Sequence, residues 1–369
     1  MNREERYARA GQRWSPQVRR RNSLLTLGVV VLLTGLLYLA GHYGDEYQIR
    51  ILNMVAIYIT LAVSYNLING ITGQFSLEPN AFVALGAYSS ALLTMTPLEK
   101  EMNFIIDPCV PCLAQVAIPF LPAVIIGGIV AAVFALLMGF PVFRVRGDYL
   151  AIVTLGFGEV IRVVANNLQT ITNGPLGLKG IAAHTNLWWT WGLALLTLFV
   201  IVRLVNSSYG RALKAIRQNE LAAESMGINS FRHKLLAFTL AAFFEGMAGA
   251  MLAHLITTIS PMLFTFFLTF NLLIIIVLGG LGSITGSVIA AIGFAWGSEL
   301  LRAVEEPINV FGWFTIPGIP GMRMVTFAVI LIAAMLFWRE GIMGRKEFSW
   351  QWLLDTLGLG NRKGAGASS

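Results

Sequence analysis

Residues 117–139, AIPFLPAVIIGGIVAAVFALLMG, run for 23 consecutive positions without a charged side chain. An α-helix needs about 20 mainly apolar residues to cross a bilayer. Irregular backbone exposed to lipid would leave peptide groups without hydrogen bonds, so the run is read as a helix. Outward from it, nine further runs read the same way: 24–40, 49–68, 81–96, 149–165, 187–205, 235–256, 263–279, 284–302 and 322–338. Those at 81–96 and 149–165 are short, which predicts broken or tilted helices, and totals from eight to eleven fit the same pattern. The predicted fold class is therefore an all-α, polytopic integral membrane protein with about ten transmembrane helices.

Composition agrees. Of 369 residues, 56% are hydrophobic and 12% charged, with a mean hydropathy of +0.70. A soluble domain carries roughly 25% charged residues. This excludes a soluble globular enzyme and a disordered chain, and two Cys are too few for a disulfide scaffold. The net charge of +7 is a topology signal rather than a nucleic-acid footprint. If the N-terminus is cytoplasmic, twenty of the 26 basic residues fall on that side. They lie in segment 1–22, at Arg144 and Arg146, in residues 203–234, and at Arg339, Arg345, Lys346, Arg362 and Lys363. Asp45, Glu46, Glu99, Glu101, Asp107, Glu305 and Glu306 collect on the opposite side. This bias predicts both termini in the cytoplasm.

The predicted layout is a basic cytoplasmic segment at 1–22, a transmembrane domain at 23–338 and a cytoplasmic tail at 339–369. Within the tail, 347–357 (EFSWQWLLDTL) has the mixed aromatic and polar pattern of an interfacial helix. The run at 24–40 is long for a signal-peptide core and no small-x-small site follows it, which predicts an uncleaved first span.

Catalytic signatures are missing. The chain has no G-x-x-x-x-G-K-[ST], no G-x-S-x-G and no H-E-x-x-H, and its four His are scattered, so no catalytic residue and no metal ligand is assigned. Cys109-Val-Pro-Cys112 lies in a predicted outer loop and reads as a structural disulfide or two free thiols. The most elaborate connection is the inner loop at 206–234. Arg211, Lys214 and Arg217 recur at three-residue spacing on one helical face, and Glu220–Gly227 (ELAAESMG) reads as a short helix closed by glycine, with a break at 227–229. Such a face is either a solvated basic surface or a helix that docks on a soluble partner.

That loop resembles the coupling loop of ABC importer permeases. Ala222-Ala223 and Gly227 fit an A-A-x-x-x-G pattern, although Leu221 stands where Glu heads the general form. The longer string from Gly210 to Ile228 resembles the LivM-type permeases of branched-chain amino acid importers. So do Arg146–Glu159 (RGDYLAIVTLGFGE) with Ile161-Arg162, Asn173-Gly-Pro-Leu-Gly177, the stretch from Gly70 to Tyr88, and Gly279–Gly286 (GGLGSITG). These motifs are spread over most of residues 50–340.

The resemblance implies a membrane-spanning permease that moves leucine, isoleucine and valine inward across the bacterial inner membrane. It implies a second related permease subunit, two cytoplasmic ATPase subunits and a periplasmic substrate-binding protein. The partners would hydrolyse ATP, and this chain would bind no cofactor. Arg211, Lys214, Arg217, Glu220, Ala222, Ala223, Glu224 and Gly227 would form the ATPase-coupling surface. Related permeases carry urea, short amides or other small carboxylates, and from a different class an ion-gradient-driven carrier would share the helical architecture.

Candidate path or gating residues are Asn66, Gly70, Gly73, Gln74, Ser76, Asn80, Thr154, Glu159, Glu245, Gly280 and Gly282. Glycines beside spans serve either close helix packing or broken segments that line a path. At 293/297 the expectation is packing; at 70–80 the two readings balance. Glu159 and Arg162 sit three apart, which predicts an ion pair within one helix. Glu245, deep in a span, requires a partner, a cavity or a proton. His254 is expected to be packed near the outer interface.

Overall fold

The computed structural model describes residues 16–105, 107–144, 149–305, 308–310, 314–316, 321–337, 341–344 and 347. Most of the predicted basic segment, Arg146 and the rest of the 347–357 segment beyond Glu347 lie outside these residues. The chain divides into two units, one of residues 1–49 with 348–369 and one of residues 50–347.

The helices are α1 (Pro16–Tyr43), α2 (Glu46–Asn66), α3 (Pro79–Thr94), α4 (Pro97–Asn103), α5 (Pro111–Ala114), α6 (Phe120–Val142), α7 (Tyr149–Asn167), α8 (Gln169–Thr172), α9 (Leu187–Val205), α10 (Ser208–Gln218), α11 (Glu220–Ser225), α12 (Ser230–Ile256), α13 (Phe266–Gly279), α14 (Ile284–Glu305) and α15 (Met322–Phe337). A π-helical turn, Leu67–Thr72, continues α2. Two short antiparallel ribbons complete the described structure. In one, β1 (Leu178–Lys179) pairs with β2 (Thr258–Ile259), with Leu178 opposite Ile259; in the other, β3 (Ile308–Val310) pairs with β4 (Phe314–Ile316).

Each predicted apolar run falls on a helix. Among the described residues, seven spans are long and apolar enough to cross a membrane: Leu24–Tyr43, Glu46–Thr72, Phe120–Val142, Tyr149–Asn167, Leu187–Val205, Ser230–Ile256 and Ile284–Arg302. The other three runs form α3, α13 and α15, of 16, 14 and 16 residues. At about 1.5 Å per residue a 14-residue helix reaches only about 21 Å, short of the roughly 30 Å hydrocarbon core. The short third run was expected. The run at 149–165 is instead one continuous helix of 19 residues, whose two internal charges neutralise each other.

The first unit contributes α1, whose Leu24, Leu32 and Leu36 are more than half exposed. In the second unit α12 packs along α3 and α6, and these two pack on each other. These crossings depend on absent side chains: a Cβ on Gly86 of α3 would overlap the Gly246 backbone of α12, and one on Gly246 would lie 2.6 Å from Ala131 Cβ of α6. Small residues allow such approach where lipid supplies no hydrophobic drive. Phe82 and Phe238 pack edge to face beside it, 5.4 Å between centroids. Thr190 Oγ1 donates to Asn53 Oδ1 at 2.7 Å, joining α9 to α2 in the interior. Of the packing expected at 293/297, Gly297 makes an ordinary contact with the Phe327 ring of α15, at 3.7 Å, whereas the Gly293 face is exposed among the described residues.

Candidate coupling and translocation site

The loop between α9 and α12 folds as two helices at an angle. Ser207 opens α10, its hydroxyl accepting from Gly210 N–H. Asn219 then breaks the chain with extended backbone, and its side chain accepts from Ala222 N–H at 3.0 Å to start α11. The sequence reading placed one break, at 227–229. The second was legible in Asn219, a favoured N-cap residue three positions ahead of Ala222. Gly227 ends α11 at φ +85°. Its N–H donates to Glu224 O and that of Ile228 to Ala223 O, at 2.9 and 3.1 Å. These nested bonds are the usual glycine termination of a helix.

The loop presents one face outward. Leu221 is 66% and Met226 83% exposed, with exposed Ala222 and Glu224 between them, whereas Ala223, 4% exposed, turns into the chain's own packing. Glu220 Oε1 accepts from Lys234 Nζ at 2.6 Å, which ties α11 to the first turns of α12. Tyr209 stacks on His233, 4.7 Å between ring centroids, and its hydroxyl donates to the His233 carbonyl at 2.6 Å. Burial pushes this phenol up to about 12, so it stays a donor at physiological pH. Arg211 and Lys214 are exposed. The Arg217 side chain reaches the next layer: a Cβ on Gly73 would lie 2.6 Å from its Cγ, and one on Gly282 2.5 Å from its Nη1.

That next layer is a broken segment. After the π turn, residues 73–78 are irregular, and α3 starts at Pro79. Single-turn π geometry often marks functional positions in helices. Asn69 clamps the irregular stretch, accepting from Ser76 N–H at 2.7 Å and donating to Ser76 O at 3.2 Å, and Tyr65 OH donates to the same carbonyl at 2.7 Å. Asn66 clamps the turn between α13 and α14: its Nδ2 donates to Ser283 O and its Oδ1 accepts from Gly282 N–H, both at 2.9 Å. Gly70 packs against that Asn66 side chain and the Gly282 amide. Asn66, Gly70, Gly73, Gly280 and Gly282 thus gather around one glycine turn beside Arg217. Gln74 is half-buried at the edge of the segment.

Deeper lies a polar cluster. Asn80 N–H and the Thr269 hydroxyl lie 3.3 Å apart, the hydroxyl lies 3.2 Å from Asn80 Oδ1, and Asn80 Nδ2 donates to Phe264 O at 3.1 Å. A Cβ on Gly158 would come 2.7 Å from Asn80 Oδ1, so α7 touches the same group. Thr154 accepts from Leu77 N–H at 2.9 Å and donates to Ala151 O at 3.1 Å. Glu78 and Glu245 are fully buried, and among the described residues none of their carboxyl oxygens has a hydrogen-bond partner; the same is true of the Ser76 hydroxyl. Glu159 accepts from Arg162 at 2.6 Å, and both are about one-third exposed. That is the predicted intrahelical pair.

The connections before α6 and after α8 are tied by polar groups that the sequence did not single out. Lys100 Nζ donates to Leu113 O and Val116 O at 2.6 and 2.5 Å. Asn103 exchanges two bonds with the Lys179 peptide. Burial pulls the Lys100 ammonium below the usual lysine range and pushes the Cys109 thiol up. Cys109 and Cys112 are both free thiols. His254 is buried between Thr94 and Phe120, its Nδ1 2.8 Å from Ala250 O and its Nε2 2.8 Å from Thr94 Oγ1. This is the packed role expected. Tyr65, Asn219, Lys234, Thr269, Ser283 and Glu347 were not singled out from sequence; each acts through a partner remote in the chain or through a cap.

The geometry is that of a helical membrane protein with a folded loop between α9 and α12 abutting a broken helix. The family described as "Branched-chain amino acid transport system / permease component" matches residues 47–338. The high-affinity branched-chain amino acid transport system permease protein LivM of Escherichia coli is 35% identical over 292 residues, 70% of this chain and 64% of the relative. A probable LivM of Methanocaldococcus jannaschii is 23% identical over 236 residues, 61% of this chain and 67% of the relative. LivH of Salmonella typhimurium, the permease protein of the same type of system, is 30% identical over 161 residues, 44% of this chain and 47% of the relative. The chain thus spans less than two thirds of the length of the E. coli relative. No solved structure matches it. The match from residue 47 to residue 338 takes in the broken segment, the inner loop and the glycine turn alike, and the chain belongs to the family of branched-chain amino acid transport system permease components.

Proposed function

We propose that this chain is a permease subunit of an ATP-binding-cassette importer that moves branched-chain amino acids inward across a bacterial inner membrane. The observation that carries the reading is the loop at 206–234, whose apolar tip (Leu221, Met226) is exposed while its base is pinned to a span by Glu220–Lys234. An exposed apolar tip on a basic loop fits a soluble partner better than plain solvation. ATP would be hydrolysed by two separate cytoplasmic subunits docked there, with Arg211, Lys214, Ala222 and Glu224 around the contact. Both termini then face the cytoplasm in a ten-span layout in which the short helices α3, α13 and α15 cross only part of the hydrocarbon core as helix.

A second, related permease would complete the path, and a periplasmic protein would deliver the substrate. The segment at 70–80 with Asn80, Thr154 and Glu245 supplies polar groups in an otherwise apolar interior, as a zwitterion with an apolar side chain requires. Discontinuous helices at membrane depth are the usual setting for such sites. Binding-driven closure of the ATPases would bias this bundle between two access states. The test is purification from mild detergent with this chain as bait. Recovery of a P-loop ATPase and a second permease, followed by ATP-dependent leucine uptake in vesicles, supports the reading. Recovery of the chain alone, with uptake driven by an ion gradient without ATP, overturns it.

A further inference from the structure

The glycine turn at 279–285 is held from a side that the proposed coupling surface does not include. Residues 341–343 lie across it. Ile342 N–H donates to Leu278 O at 2.8 Å and Met343 N–H to Gly279 O at 3.3 Å, while a Cβ on Gly341 would lie 2.6 Å from Gly280 Cα. Glu347 then reaches the start of α14. Its Oε1 accepts from Ile284 N–H at 2.8 Å, and its Oε2 accepts from Thr285 N–H at 3.3 Å and from Thr285 Oγ1 at 3.0 Å. Ser283 Oγ accepts from Gly286 N–H at 3.1 Å. The first N–H groups of a helix have no partner within it, and a carboxylate there is favoured by the helix dipole. A side chain 62 residues from Thr285 therefore does what a local cap ordinarily does.

The same turn carries Asn66 from the broken segment and lies against Arg217 from the inner loop. We propose that Glu347 is a positioning residue, a latch that holds the start of α14 and sets how tightly movement of the inner loop is transmitted to the broken segment. This rests on the permease reading. A cap supplied from a distant strap differs from a local one because it breaks when the strap lifts, so its making and breaking tracks a change of state. A coupling free energy of this kind typically changes an equilibrium by roughly 5- to 150-fold.

The experiment compares wild-type chain with Glu347→Ala, Glu347→Gln and Glu347→Asp in the assembled importer in nanodiscs. Two quantities are measured: hydrogen exchange at the Ile284 and Thr285 amides, and leucine transported per ATP hydrolysed. The latch predicts exchange at those amides roughly tenfold faster in Glu347→Ala, with transport per ATP reduced several-fold. Glu347→Gln, which keeps the size but not the charge, should show a smaller loss, and Glu347→Asp should restore part of both. Unchanged exchange overturns the contact. Faster exchange with unchanged transport per ATP overturns the coupling role and leaves only a cap. If no ATPase assembles with the chain, the permease reading fails, while exchange in the isolated chain still decides whether the latch exists.

Discussion

Gly227 is the residue on which the end of the inner loop depends. At φ +85° a side chain costs about 1–2 kcal/mol. Gly227→Ala should therefore leave membrane insertion unchanged and loosen α11, seen as increased proteolysis between residues 220 and 230. Gly227→Pro should do more, because it also removes the N–H that reaches Glu224 O. Tyr209 makes a parallel case. Tyr209→Phe keeps the stack on His233 and loses one hydrogen bond, at a cost of about 1 kcal/mol. Because the folded phenol titrates near 12 against an ordinary value of 10.0, its contribution is complete below pH 10. It is lost as pH rises from 10 through 12, with no change near neutrality. A spectrophotometric titration of wild type against Tyr209→Phe measures this, and a phenol titrating at 10 in the folded chain would contradict it. Residue identities in the loop were readable because caps are local: Gly227 was read as a helix end from its neighbours. Asn66 reads from sequence only as a polar group in an apolar span; its partners, Gly282 and Ser283, lie more than 200 positions away and are not legible there.

At the scale of elements, α11 has two faces with different roles. Leu221→Arg or Met226→Arg should insert normally and keep the chain's fold, yet lose the ATPase on purification. Ala223→Arg should instead disturb the loop itself, since Ala223 is packed inside it. A variant series in which Ala223→Arg is folded and only the exposed-face variants still bind ATPase would reverse this assignment. The Glu220–Lys234 pair joins α11 to α12 with Lys234 nearly buried. Glu220→Ala strands that ammonium and should cost about 2 kcal/mol, more than Lys234→Met, which removes the charge and keeps the stem. Thermal unfolding in detergent ranks the two. The apolar runs were legible at this scale, because lipid demands helices and a helix demands length. The break at 73–78 and the corner at Asn219 were less so. The break is stabilised by Asn69 and Tyr65 binding Ser76, contacts that leave no periodicity in the sequence, and the corner by a single cap from Asn219 to Ala222 N–H.

For the whole molecule, positive charge should fix the orientation. Single cysteines placed at residue 214 and residue 101, in a background without Cys109 and Cys112, should be labelled by an impermeant maleimide from opposite faces of the membrane. Labelling of both from one face would overturn the ten-span layout. Composition alone placed this chain in a bilayer. Family membership needed motifs spread from residue 70 to residue 286, since each is short and glycine-rich by itself. What composition could not supply is which interior carboxyls lack a hydrogen-bond partner among the described residues: Glu78 and Glu245 differ from Glu159 only in what surrounds them.

The crossing at Gly86 and Gly246 has a mechanical consequence. Two backbones in direct contact have no layer of side chains to slide on, and close-packed interiors switch between discrete arrangements rather than deform. On the proposed permease reading, helices α3, α6 and α12 are expected to move as one trunk, with changes of access coming from other helices tilting about it. Spin-label distances between α3 and α12 should be the same with and without nucleotide, whereas those from α12 to α14 should change.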